Sequence, residues 1–108
     1  MKQTPCEYIV WCGLPIIRKG LTESMINDYG LGQSETAEKL GISPAAVSQY
    51  LSGKRGKMNI TDKEINKEFN RSAEKIIKLG DDILVSEICR LCRFLISKKI
   101  FSFKQKCD

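Results

Sequence analysis

A three-residue break, Gly41-Ile42-Ser43, is set between two short helix-forming stretches at about 33–40 and 44–51. Two short helices joined by so brief a turn must cross steeply. Gly41 permits the left-handed backbone that such a turn needs. Ala37 is small where the two helices approach. Leu40, Ile42, Val47 and Leu51 supply apolar anchors beneath the pair, and on the second helix Val47 and Leu51 read as the core-facing residues. Ser52-Gly53 ends that helix, and Lys54 to Asn59 follows as a basic, glycine-containing loop.

The rest of the chain is also punctuated as helix. Thr4-Pro5-Cys6-Glu7 has the form of an N-cap, a proline at the first helical position and a glutamate closing a capping box. Tyr8, Ile9, Trp11, Cys12 and Leu14 follow, and Pro15 predicts a kink or break. Tyr8 and Trp11 read as core or interface residues. Ile16, Ile17, Leu21, Met25, Ile26 and Tyr29 then recur at helical spacing until Gly30, a suitable helix stop. Beyond the basic loop, Thr61 is expected to cap a helix with Glu64 at the third position, and Ile60 and Ile65 have the spacing of a hydrophobic staple. Its stripe is Ile65, Phe69, Ala73, Ile76 and Ile77, and Gly80 stops it. A last helix starts near Asp81 or Asp82, with the stripe Leu84, Ile88, Leu91, Cys92 and Leu95. No strand-like alternation or internal repeat appears. The expected fold is all-α: a helix-turn-helix bundle over 4–58 and a two-helix C-terminal extension over 60–103.

Composition narrows the function. Of the 108 residues, 42% are apolar and 29% charged, a balance typical of a packed soluble domain. No apolar run approaches the roughly 20 residues of a membrane span, and the first residues lack a secretory pattern, so a cytoplasmic protein is expected. Histidine is absent, which removes the usual general base and the commonest metal ligand. The net charge of +5 is mild, but its distribution is uneven. Residues 52–57 carry Lys54, Arg55 and Lys57 without an acid, and residues 88–107 carry six cations without one.

The second short helix carries the functional signal. Away from its core side it offers Ser43, Pro44, Ala45, Ser48 and Gln49, all small or uncharged polar. A solvated helix ordinarily carries Lys and Glu there. A helix entering the major groove of duplex DNA needs short side chains for close approach, with amides and hydroxyls for base edges. Gln49 suits bidentate pairing with adenine, and Ala45 or Ala46 suits contact with a thymine methyl. Lys54, Arg55 and Lys57 then lie beside the phosphates.

Residues 31–53, LGQSETAEKLGISPAAVSQYLSG, resemble the helix-turn-helix of the lambda-repressor-like family (Cro/C1, or XRE type). The wider pattern, PCEYIVWCGLPIIRKGL, then QYLSGKRG, then EICRLC, is similar to a group of archaeal predicted transcriptional regulators. Members of that group occur alone or fused to a thiamine-phosphate-binding domain. No such domain is expected within these 108 residues, so no effector is carried over from the fused members. The resemblance does imply that the first helix of the motif lies over the DNA backbone, with Gln33 and Ser34 as phosphate contacts. It likewise implies that Ser43, Pro44, Ala45, Ser48 and Gln49 face the bases.

Five cysteines in a chain without an export signal argue against a disulfide framework. Cys89 and Cys92 share a helix face, and Cys6, Cys12 or Cys107 are further thiols for an all-thiolate metal or cluster site. Arg90 and Arg93 would lower the thiol pKa values and favour a redox switch. The plain alternative is burial, since Cys92 continues an apolar stripe. No cofactor is expected. A two-fold homodimer is expected, because such regulators bind paired half-sites, and 61–103, with Ile96, Ile100, Phe101 and Phe103 beyond one face, is the expected interface. Two other classes compete: a protein-interaction module of antitoxin or adaptor type, and a thiol oxidoreductase. The second lacks the strand that normally precedes its CxxC.

Overall fold

The structure is a computed structural model that describes residues 13–52 and 62–98. Among these residues there are five helices and no strand. Helix α1 is Leu14–Glu23 and continues as a wider π turn over Ser24–Asp28. Helices α2 (Gln33–Leu40) and α3 (Pro44–Leu51) form a short hairpin. Helices α4 (Lys63–Leu79) and α5 (Asp81–Ser97) form a long one. Both hairpins pack against α1.

Each boundary has a local cause. Pro15 stands in the first turn of α1, which directly follows Gly13, whose backbone is already helical in a wider π turn. The expected helix ahead of it, with Thr4, Tyr8, Trp11 and Cys12, lies outside the described residues. At the other end of α1, Tyr29 N–H donates to Ser24 O across the widened turn. Asn70 of α4 anchors this turn twice: Ser24 Oγ donates to its side chain and Tyr29 O–H to its carbonyl, at 3.0 Å. The chain reverses at Gly30, whose φ is positive as its stop role requires.

Thr61 is not the cap of α4. The N-cap is Asp62, whose Oδ1 accepts from the amides of Glu64 at 2.8 Å and Ile65 at 3.3 Å. A carboxylate there meets two orphan donors and the positive helix end together, which favours the aspartate over the neighbouring threonine. Ile60, the other half of the expected staple, lies outside the described residues, as do Ile100, Phe101 and Phe103.

One continuous core joins Ile16, Ile17, Leu21 and Met25 of α1 with Leu40 of α2, Ile65, Phe69, Ala73 and Ile76 of α4, and Leu91 and Leu95 of α5. The stripes read for α4 and α5 are therefore used within the chain. Burying each of the larger side chains among them stabilises by about 1.5–3 kcal/mol. Helices α1 and α4 approach so closely at Gly20 that a Cβ there would lie 2.6 Å from the Phe69 ring. Outside this core, α4 and α5 are bridged by a polar cluster. Arg90 Nη1 donates to Glu68 Oε2 at 2.7 Å and Nε to Glu87 Oε1 at 3.4 Å, while Ser72 Oγ accepts from Nη2 and donates to Glu87 at 3.0 Å. The Arg90 hydrogen bond holds the Glu68 carboxyl below its ordinary pKa.

Candidate nucleic-acid interface

The α2–α3 turn follows from Gly41, at φ 67° and ψ 32°. Its N–H donates to Glu38 O at 3.3 Å, and the Ile42 N–H donates to Ala37 O at 3.0 Å. This pair of bonds is a Schellman closure, and it needs a left-handed residue at that point. Ser43 then caps α3, its Oγ accepting from the Ala46 N–H at 3.1 Å, and Pro44 occupies the first helical position. The turn thus meets Ala37 O, Glu38 O and the Ala46 N–H with its own groups, so the angle between the helices is set locally.

Helix α3 turns Ala46, Val47 and Tyr50 inward, against α1 and α2. Leu51 is not core-facing: it is 37% exposed, and Tyr50 takes the inner position at 1%. Ala46 is buried and unable to meet a thymine methyl. The inner side follows an i, i+1, i+4 spacing from Ala46, and one further residue carries Leu51 past the edge of the contact. Tyr50 is wide enough to fill the space alone.

The outer face of α3 presents Ser43, Pro44, Ala45, Ser48, Leu51 and Ser52, all exposed and none charged. Ser43 has one role more than expected, because its hydroxyl oxygen serves as the cap while its O–H is left to donate elsewhere. Gln49 is half-buried, and its Oε1 is sheltered without a hydrogen-bond partner. As it stands, only part of that carboxamide faces outward, so bidentate pairing would require the side chain to swing out. Leu51 is an outer-face residue that sequence reasoning missed, because two adjacent apolar residues give no sign of which one is buried.

Gln33 and Ser34 are exposed in the first turn of α2, ahead of which Gly32 is extended and the Thr36 N–H bonds to Gly32 O at 2.9 Å. Glu35 is exposed in the same turn. It favours the helix dipole and opposes a neighbouring phosphate. Lys54, Arg55 and Lys57 lie outside the described residues.

The cysteines separate. Cys89 is exposed and Cys92 half-buried against the core. Cys6, Cys12 and Cys107 lie outside the described residues. Among the described residues, no group of three or more His, Cys, Asp or Glu side chains is arranged to hold a metal ion. No helix in the same set is long and apolar enough to cross a membrane.

The helix-turn-helix family matches residues 23–76, half of the chain, from the end of α1 through most of α4. A polyribonucleotide nucleotidyltransferase of Lysinibacillus sphaericus (strain C3-41) is 31% identical over 93 residues. That stretch covers 84% of this chain and 12% of the relative, so the chain spans only a small part of that protein's length. No solved structure matches significantly.

Proposed function

Because this chain belongs to the helix-turn-helix family, a DNA-binding family, we propose that it is a sequence-specific double-stranded DNA-binding transcriptional regulator that reads the major groove with α3. The observation that carries this reading is the exposed, uncharged outer face of α3. Charge there would repel or indiscriminately attract the DNA backbone. Small residues allow the helix axis to sit deep, and hydroxyls discriminate base edges. Ser43, Pro44, Ala45, Ser48 and Gln49 are the base-facing set. Leu51 adds an apolar contact suited to a thymine methyl. Gln49 gains, on pairing, the hydrogen bond that its Oε1 lacks in the free protein, so swinging outward costs it little. Gln33 and Ser34, with Lys54, Arg55 and Lys57, take the phosphates. Two copies on a two-fold axis read paired half-sites.

Selection from random duplex DNA, read by sequencing, tests the proposal. An enriched, two-fold-related motif is expected, bound with steep salt dependence. Gln49→Ala should relax preference at one position, whereas Arg55→Ala should weaken all sequences alike. No enriched motif overturns the reading. A polyribonucleotide included as competitor tests a second reading suggested by the name of the relative: preference for it over duplex would place the surface on RNA.

A further inference from the structure

Helix α4 carries a ladder of cations on its outward side. Lys63, Lys67, Arg71 and Lys75 are all exposed and follow one another at i, i+4. Four residues rise about 6 Å, so the ladder runs about 18 Å along the helix. The acids of the same helix are committed to other cations. Glu68 Oε2 accepts from Arg90, Glu64 Oε2 from Lys98 and Glu74 Oε1 from Lys78, each at 2.7 Å. Arg90 and Lys98 belong to α5 and its cap, so the second limb of the hairpin neutralises acids of the first. Lys63 and Lys67 have no ion pair among the described residues. Arg71 shares Glu68 with Arg90, and its side chain is 61% exposed. Lys75 stands 4.0 Å from Glu87, an acid that already accepts from Arg90 and Ser72. Counting Lys78, Arg90 and Lys98 with the ladder, seven cations meet Glu64, Glu68, Glu74 and Glu87, which leaves an excess of three positive charges.

We propose that this ladder grips the sugar-phosphate backbone of duplex DNA outside the stretch that α3 reads, so that one chain holds the duplex at two places. Charge selects the occupant. A duplex strand carries a phosphate about every 3.4 Å of its axis, so cations about 6 Å apart can engage alternate phosphates. A lipid surface fits poorly, because Ile65, Phe69, Ala73 and Ile76 are consumed by the core and α4 has no apolar side left to insert. The ladder also continues the phosphate-binding set in sequence: only residues 52–62 separate α3 from α4, and Lys54, Arg55 and Lys57 lie among them. The identity of the polyanion rests on the regulator reading. To that reading the ladder adds a contact without sequence preference, since lysines on phosphates sense charge and not bases. Arg90 acts indirectly. By holding Glu68 and Glu87 it leaves Arg71 and Lys75 open to an outside anion.

The test uses the full chain with three probes: the selected motif alone, the motif with about ten base pairs added on each side, and a random duplex of the longer length. The wild type should bind the flanked motif several-fold more tightly than the bare one. Lys63→Gln combined with Lys67→Gln, both at exposed positions, should remove most of that gain while circular dichroism and motif preference stay unchanged. On the flanked and the random duplex alike, the slope of log affinity against log salt should fall by about 2. Lys63→Arg combined with Lys67→Arg should keep both the gain and the slope. An unchanged slope in the glutamine pair overturns the proposal, as does an arginine pair that behaves like the glutamine pair. A glutamine pair that loses more affinity for a single-stranded polyribonucleotide than for duplex overturns it too, and assigns the ladder to RNA. The two readings fail separately. A motif bound with the same slope by wild type and the glutamine pair removes the ladder alone. A slope lowered on random duplex, in a protein that enriches no motif, removes the regulator and leaves the ladder.

Discussion

The two hairpins of this protein solve the same topological problem by different means. Each joins two helices through a glycine of positive φ, Gly41 in one and Gly80 in the other. The α4–α5 hairpin has 17-residue limbs, contributes most of the shared core and adds the Arg90 cluster across its seam. The α2–α3 hairpin has 8-residue limbs, buries little beyond Ala37, Leu40, Ala46, Val47 and Tyr50, and depends on its caps. Helices that short are marginal in water and need a surface to dock on. One hairpin is thus an anchor and the other a presented surface. In the presented one, α3 can leave its outer face uncharged because its stability is drawn from its ends and from α1.

Removing anchor packing should therefore do the most damage. Leu91→Ala, at a fully buried site, should cost about 2–5 kcal/mol. Chemical denaturation followed by circular dichroism should show one transition, with α2–α3 lost together with α4–α5. If α2–α3 survives the loss of the long hairpin, the division into anchor and presented surface is wrong. Gly20→Ala should cost about 1–3 kcal/mol by overpacking against Phe69. Pairing it with Phe69→Leu should recover part of the loss in melting temperature, because the clash is with the ring.

The polar cluster comes next. Arg90→Met removes the nearer cation of buried Glu87, leaving Lys75 at 4.0 Å, and should cost about 1–3 kcal/mol at neutral pH. The pH dependence has a definite sign. Glu68 has a folded pKa below its unfolded one, so its contribution is complete above the ordinary glutamate range of about 4 and is lost as pH falls through the folded value. An acid titration of stability should be steeper for the wild type than for Arg90→Met. Equal slopes would detach Glu68 from Arg90. The smallest effect belongs to the presented hairpin: Ser43→Ala should cost about 1 kcal/mol, with hydrogen exchange raised chiefly at the α3 amides.

Much of this comparison was legible in the residues, and the gaps have physical causes. The bounds of α2 and α3 were readable because Gly41, Ser43 and Pro44 act on their own neighbours. The inner stripes of α4 and α5 were readable because periodicity survives over 17 residues. Tyr50 and Leu51 were not separable, since an 8-residue helix offers too few turns to fix its phase. Asp62 and Thr61 compete at adjacent positions, and the winner depends on which amides each side chain reaches. The Arg90 cluster and the Asn70 anchor of the π turn join residues far apart in sequence, which no local pattern encodes. Of the candidate surface, the uncharged side was visible beforehand, while the sheltered Oε1 of Gln49 and the exposure of Leu51 needed the packed neighbours.

The packing of both hairpins on α1 has a consequence for the order of folding. The α4–α5 hairpin closes across one residue and its contacts are local, so it is expected to form early. Helix α1 must cross some forty residues or more of chain to bring Ile17 and Leu21 to Ile65, Phe69 and Leu95. Until it arrives, Val47 and Tyr50 have little to rest on. Folding kinetics should then show Ile17→Val slowing folding and Leu91→Val altering both limbs, with mutations in α3 speeding unfolding alone. The face offered to a partner would be the last part of the molecule to exist, and an unfinished chain would have no such face to bind with.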